Sequence, residues 1–229
     1  MTQPKAKGNV LVIADTHEPF SHKHYLDFCI ETYEKFNCEH VIHIGDLIDN
    51  HAASYHEHDP DGYSHRREIL QAQKKLKKWF GAFPKVKLCM GNHDELILRQ
   101  GRTHGLASHV FKSYRDIYQL PKSWEYAFNF KINNVLYTHG TSYSGKYPHA
   151  TACTAQRMSV VIGHLHSVAG VYWTASENDI IFGMAVGCGI DRKRYAFDYG
   201  KNFTRKPILG AGVVSDVGRN AEFVPMKMG

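Results

Sequence analysis

Apolar, β-branched runs alternate with helix-periodic stretches through the first two thirds of the chain. Asn9 to Ala14 reads as a buried strand, and Tyr25 to Phe36 as a helix that puts Leu26, Cys29, Ile30 and Tyr33 on one face. His40 to Ile44 is a second strand, Ser64 to Phe80 a second helix, Lys85 to Met90 a third strand, and Glu95 to Tyr118 is mostly helical. Elements in that order predict a mostly parallel α/β sheet with right-handed crossovers. After Pro121 the pattern changes to short strand-like runs: Trp124 to Lys131, Val135 to Thr138, Val160 to Ile162, Gly170 to Ala175, Ile180 to Val186 and Ile208 to Ser215. Asn, Gly and Asp turns separate them, so the C-terminal half predicts a second, hairpin-rich sheet. Cys188 to Pro207 is the longest irregular stretch, long enough to be a functional loop.

Ligands of α/β sheets bind outside the carboxyl ends of the strands, so the residues that follow each apolar run carry the most information. The first strand ends in Asp15-Thr16-His17, the second in Gly45-Asp46-Leu47-Ile48-Asp49-Asn50, and the third in Gly91-Asn92-His93-Asp94. Later runs end in His139-Gly140 and Gly163-His164-Leu165-His166. In extended chain, residues i and i+2 point to one side, which makes Asp15 with His17, and His164 with His166, two candidate pincers. Any one of these has an ordinary explanation: Asp15 as a helix cap, Asn92 and His93 as a turn, His139 as a packed core histidine. Recurrence at five strand ends argues against five independent coincidences.

Composition sharpens this picture. The chain has 229 residues, 43% hydrophobic, which suits one domain over residues 1–229 and excludes a disordered or fibrous protein. It contains 16 histidines, where equal use of all residue types would give about 11. With no His run to suggest a tag, a metal site or a pH-sensing surface remains. The five cysteines are dispersed and form no C-x-x-C pair, which predicts neither a disulfide framework nor a thiolate zinc site. No apolar run has the length of a membrane span and the first residues are polar, so a soluble cytoplasmic protein is expected. A formal net charge of +6 suits an anionic partner such as nucleic acid or a phosphate ester, with no membrane partner expected.

Oxygen and imidazole donors without thiolate suit Mn, Fe, Zn or a similar divalent ion. There are more of them than one tetrahedral ion uses, and two ions sharing a carboxylate would use them all in an in-line displacement at phosphorus. The motifs D-x-H, G-D-x-x-D, G-N-H-D, a lone His and G-H-x-H, in that order over Asp15 to His166, resemble those of the calcineurin-like metallophosphoesterases.

That resemblance implies a four-layer α/β/β/α sandwich of two mixed β-sheets flanked by helices. It also implies two divalent metal ions, with Asp15, His17 and His166 on the first, Asn92, His139 and His164 on the second, and Asp46 bridging both. His93 would protonate the leaving oxygen while a metal-bridging hydroxide attacks, and Asp49 would accept a hydrogen bond from His93 and keep it oriented. Protein phosphatases of the family carry Arg directly after G-D-x-x-D, where this chain has Asn50 and His51. A phosphodiesterase or nuclease acting on nucleic acid or nucleotides is the leading expectation, with a phosphomonoesterase for small metabolites and a non-catalytic scaffold as alternatives.

Other polar groups divide between site and surface. The loop carrying His51, His56 and His58 follows G-D-x-x-D and is expected to overhang the metals, with His51 touching substrate. Arg192 and Arg194, beside Tyr195, Phe197 and Tyr199, are candidates to clamp a polyanion or stack a base. Lys74, Lys75, Lys77 and Lys78 read as a solvated helix face, with Leu76 and Phe80 turned inward. His40 and His43 are expected to pack or face solvent.

Overall fold

Continuous apolar sequence in the first strand, β1 (Asn9–Ile13), is explained by its place in the middle of a sheet covered on both faces. The computed structural model describes residues 7–54, 62–191, 193 and 204–227. β1 continues through helix α1 (Tyr25–Lys35) into β2 (Cys38–His43), then through α2 (His65–Ala82) into β3 (Val86–Cys89). α3 (Leu96–Thr103) and α4 (Tyr114–Tyr118) precede β4 (Trp124–Ala127). These four strands lie parallel.

The remaining elements are β5 (Asn129–Ile132), β6 (Val135–Thr138), α5 (Pro148–Gln156), β7 (Ser159–Ile162), β8 (Ala169–Ala175), β9 (Ile180–Val186), β10 (Gly210–Ser215) and β11 (Asn220–Pro225). They complete two mixed sheets, β11-β10-β1-β2-β3-β4 and β5-β6-β7-β9-β8.

Side-chain alternation builds the layers. Val161 of β7 and Phe182, Met184 and Val186 of β9 join the main core with β1 and β2, while Val160, Ile162 and Ala185 pack on Ala152 and Cys153 of α5. One face of the second sheet thus meets the first sheet and the other meets a helix, which is the expected α/β/β/α arrangement.

Three expectations are corrected. Trp124 to Lys131 is two strands in different sheets, broken at the exposed Phe128, because local alternation does not say which sheet a strand joins. Glu95 to Tyr118 is interrupted, and α4 starts afresh where the Ser113 side chain accepts the Asp116 N–H. The C-terminal strands β10 and β11 leave the second sheet and return to the first, β10 pairing antiparallel with β1. Helix α5 and strand β11 carried no clear periodic signal: α5 is built largely of small residues and begins at Pro148.

Helix α2 anchors the site-bearing loops from behind. Glu68, Ala72, Leu76 and Trp79 form its buried stripe, and Trp79 Nε1 donates to the buried Glu18 carboxylate at 2.7 Å. Lys75 turns inward to Glu18 at 3.3 Å, so only Lys74, Lys77 and Lys78 are left on the solvated face. Exposed pairs such as Lys87 with Glu125 contribute about 0–1 kcal/mol. The Glu18 carboxylate is buried, so a partner for it matters more. The Glu18 backbone binds the loop after β2, donating to Leu47 O at 2.8 Å and accepting from Asp49 N at 3.1 Å. Among the described residues no helix is long and apolar enough to cross a membrane.

Candidate metal centre

The loops after β1, β2, β3, β6 and β7 converge at one end of the two sheets. Ligand atoms of Asp15, His17, Asp46 and His166 all lie within 4.8 Å of one another, as do those of Asp46, His139 and His164. Asp46 belongs to both groups. Its Oδ2 lies 3.1 Å from His139 Nε2 and 3.6 Å from His17 Nε2, and Asn92 Oδ1 joins the second group 3.0 Å from His139 Nε2. All seven donors are therefore brought together, although Asp15 and His166 are separated by most of the chain.

The pincer geometry needs one correction. His17, Asp46 and His164 have left-handed φ values of 47°, 47° and 67°, so the chain turns at each rather than continuing as a strand. Asp15 and His17 still share a group, but His164 and His166 fall in different groups, and the extended-chain argument does not hold for that pair. The His164 backbone N–H instead donates to Asp15 Oδ2 at 2.8 Å, joining the two motifs.

Close approach explains two glycines. A Cβ on Gly91 would overlap Asp46 Oδ1, and one on Gly163 would overlap Asp15 Oδ1. Neither has a left-handed φ, so room for a carboxylate is the requirement.

A layer behind the donors fixes the imidazoles. His17 Nδ1 donates to Asp49 Oδ1 at 2.7 Å, and His139 Nδ1 donates to Ile44 O at 3.2 Å, which leaves both Nε2 atoms facing the cluster. Burial favours a neutral His139, yet Asp46 and Asp15 outweigh it and push its pKa up to about 9. Burial would also raise Asp46, but His139, His93 and His17 hold its carboxyl well below the ordinary range.

His43, expected only to pack or face solvent, is fully buried and burial pushes its pKa down to about 3. Its Nδ1 accepts from Gly45 N at 3.3 Å, so Nε2 carries the proton and donates to Thr16 Oγ1 at 3.0 Å. Thr16 in turn donates to Leu47 O at 3.1 Å. This neutral chain ties the D-x-H and G-D-x-x-D loops, and no local motif announces it.

His93 sits at the edge of the cluster, its ring 4.6 Å from that of His17. The expected bond from its ring to the Asp49 carboxylate is replaced: that distance is 3.6 Å, and His93 Nδ1 donates to the Asp49 backbone carbonyl at 2.6 Å. The physical reason is competition, since Asp49 Oδ1 is already engaged by His17. Asp49 thus orients both histidines, one through its side chain and one through its backbone. With Nδ1 committed as a donor, Nε2 is the nitrogen left to exchange a proton. Burial opposes charge on His93, while the Asp46 and Asp49 carboxylates raise its pKa above the ordinary value.

His51 opens a 3-10 turn, His51–Ala53, directly after this loop, its backbone N–H donating to Glu68 Oε1 at 2.9 Å. Asn50 points inward and is fully buried. Arg192, Arg194, His56 and His58 lie outside the described residues. All five cysteines are buried and none forms a disulfide among the described residues.

Among solved structures, the chain is similar to an archaeal phosphodiesterase at 16% identity and TM-score 0.47, over 95% of this chain and 99% of that one. It is also similar to Vps29 from Cryptosporidium parvum, at 11% identity and TM-score 0.44 over 96% and 98% of the two chains. The E. coli phosphoesterase Yfce matches at 13% identity and TM-score 0.42 over 91% and 88%. No curated protein matches the sequence. The sequence pattern of the calcineurin-like phosphoesterases matches residues 8–184, and the chain belongs to that family.

Proposed function

We propose that the protein is a two-metal phosphodiesterase acting on nucleic acid or nucleotides. The observation that carries this reading is the sharing of one buried carboxylate, Asp46, by two donor groups with a histidine beside them.

The donors fit divalent ions. His17 and His166 face each other Nε2 to Nε2 at 3.1 Å, a contact that a cation between lone pairs stabilises. Asp15 Oδ1 is buried without a hydrogen-bond partner, and the raised pKa of His139 marks a place where positive charge is required. Metal binding at such a site displaces the proton. Asp15, His17 and His166 would hold one ion and Asn92, His139 and His164 the other, with Asp46 common to both. Bound there, two ions supply charge neutralisation at the phosphoryl oxygens and a nucleophile from water at neutral pH.

The chain's own residues do the rest. Asp49 fixes His17 so that Nε2 is presented to the cluster, and its carbonyl fixes the tautomer of His93. His93, protonated, gives its Nε2 proton to the departing oxygen. Preference for a diester is supported at Asn50, the position at which protein phosphatases of the family carry Arg. Both ends of the Asn50 amide are used inside the protein, so it does not grip the extra charge of a monoester. The net charge of +6 supports a polyanionic substrate.

With Mn²⁺ present, bis-p-nitrophenyl phosphate is expected to be hydrolysed faster than p-nitrophenyl phosphate, and EDTA to stop both. Faster monoester hydrolysis would replace this reading with a phosphomonoesterase, and silence with every divalent metal would replace it with a scaffold. Asp49→Ala is expected to weaken metal binding by about 10–100-fold, because it frees the His17 ring. Titration of Mn²⁺ against wild type and variant measures this, and unchanged affinity would contradict the role given to Asp49.

A further inference from the structure

We propose that the short helix α4 is a positioning device for His93, acting through Tyr118 and Asn50 on one side and Tyr114 and Asp94 on the other. The two tyrosines stand four residues apart on the same helical face, ring centroids 4.8 Å apart, with both hydroxyls turned into the protein. Tyr118 Oη donates to Asn50 Oδ1 at 2.5 Å, and Asn50 Nδ2 donates to the His93 backbone carbonyl at 2.9 Å. Tyr114 Oη donates to Asp94 Oδ1 at 2.7 Å. The Asp94 carboxylate also accepts from Gly91 N at 2.9 Å, Ile48 N at 3.2 Å and Leu47 N at 3.4 Å. One carboxylate therefore joins the G-N-H-D loop to the G-D-x-x-D loop, and one amide joins Asn50 to His93.

The helix is itself held from outside. Gln73 Nε2 of α2 donates to Ile117 O at 2.6 Å, and the Arg115 guanidinium donates to the carbonyls of Leu120, Pro121 and Trp124. Asn50 has a left-handed φ of 51°, a conformation that a non-glycine residue keeps when its surroundings over-determine it. A hydroxyl on each tyrosine, beyond ring packing, is what the arrangement uses: phenylalanine would fill the same space and leave Asn50 Oδ1 and Asp94 Oδ1 each short of a donor. The consequence falls on His93, whose backbone is held through Asn50 and whose ring is held by the Asp49 carbonyl on the loop that Asp94 secures.

This proposal rests on the reading of His93 as the proton donor. A misplaced donor harms the reaction most when the leaving group needs a proton most, which separates positioning from general stability. Tyr118→Phe and Tyr114→Phe are to be compared with wild type on bis-p-nitrophenyl phosphate and on diphenyl phosphate, whose phenolate is the poorer leaving group. The expected result is a kcat loss of about 10-fold or more on diphenyl phosphate and a markedly smaller loss on the nitrophenyl diester. KM and metal content should stay unchanged.

A second reading uses the full-length, Zn²⁺-loaded chain with ¹⁵N-labelled histidine. The His93 Nδ1–H resonance, assigned by its absence in His93→Ala, should be sharp and slow to exchange in wild type and broadened in both variants. Equal kcat losses on the two diesters, or an undisturbed Nδ1–H signal in both variants, would overturn the proposal. A wild type silent on both diesters with the resonance still loosened by the variants would instead overturn the phosphodiesterase reading and leave the orienting role of α4 standing.

Discussion

Replacing Asp46 by Asn is expected to abolish hydrolysis and to lower the metal content together. The carboxylate has three tasks in one place: Oδ1 accepts the His93 N–H at 2.8 Å, and Oδ2 faces His139 at 3.1 Å and His17 at 3.6 Å. Asparagine keeps the size and can keep the bond to His93 N. It removes the negative charge common to both donor groups, and its amide, set with the oxygen toward His93, turns toward His139 and His17 an NH₂ group that cannot ligate a cation. Because charge neutralisation and nucleophile generation would both depend on the ions in the proposed reaction, the loss of turnover should be about 10³-fold or more. Metal analysis beside the rate measurement decides the point: an inactive variant that retains its full metal complement would contradict the bridging role.

His93→Ala is expected to separate chemistry from metal binding. In the proposed reaction its ring gives a proton to the leaving group, a role worth about 10²–10⁴-fold in rate, so kcat should fall by that order while KM changes little. The metal complement should be retained, because the bond from this residue to Asp46 comes from the backbone N–H, which alanine preserves. The loss should be smaller for a nitrophenyl ester than for a phenyl ester. Loss of metal in His93→Ala would place the residue among the ligands and remove it from proton transfer.

Much of the donor cluster was legible in the sequence because each donor directly follows an apolar run that becomes a strand, and the sheet topology gathers those strand ends without further instruction. Element type was legible from local pattern: β1 and β2 are apolar runs, and α1 and α2 have strong helical periodicity. What escaped depended on contacts between distant segments. Asp49 was expected to orient His93 through its carboxylate, and only the three-dimensional loop reveals that His17 has taken that oxygen. Thr16 and Asp94 stand inside D-x-H and G-N-H-D without a role of their own there, and His43, Tyr114 and Tyr118 belong to no motif, since a tyrosine that supports a loop has the same local pattern as one that fills a core. Phe128, where the chain passes from one sheet to the other, lies inside what reads as one uninterrupted strand. The return of β10 to the edge of β1 is a pairing across most of the chain, and alternation within Ile208 to Ser215 is compatible with either sheet.

The histidine excess resolves into roles of different kinds. His17, His139, His164 and His166 point ring nitrogens into the cluster, His93 stands beside it, and His43 is a neutral strut behind it. His24, by contrast, is exposed and lies 3.9 Å from the exposed carboxylate of Asp27. Abundance alone did not distinguish these, whereas position at a strand end and the partner of each Nδ1 did.

The central claim is that two ions share Asp46. Its most direct test is metal analysis of the Mn²⁺-loaded full chain, combined with anomalous scattering from its crystals. The expected result is two ions per chain, with two anomalous peaks flanking the Asp46 carboxylate. A single peak, or none at saturating Mn²⁺, would contradict the account.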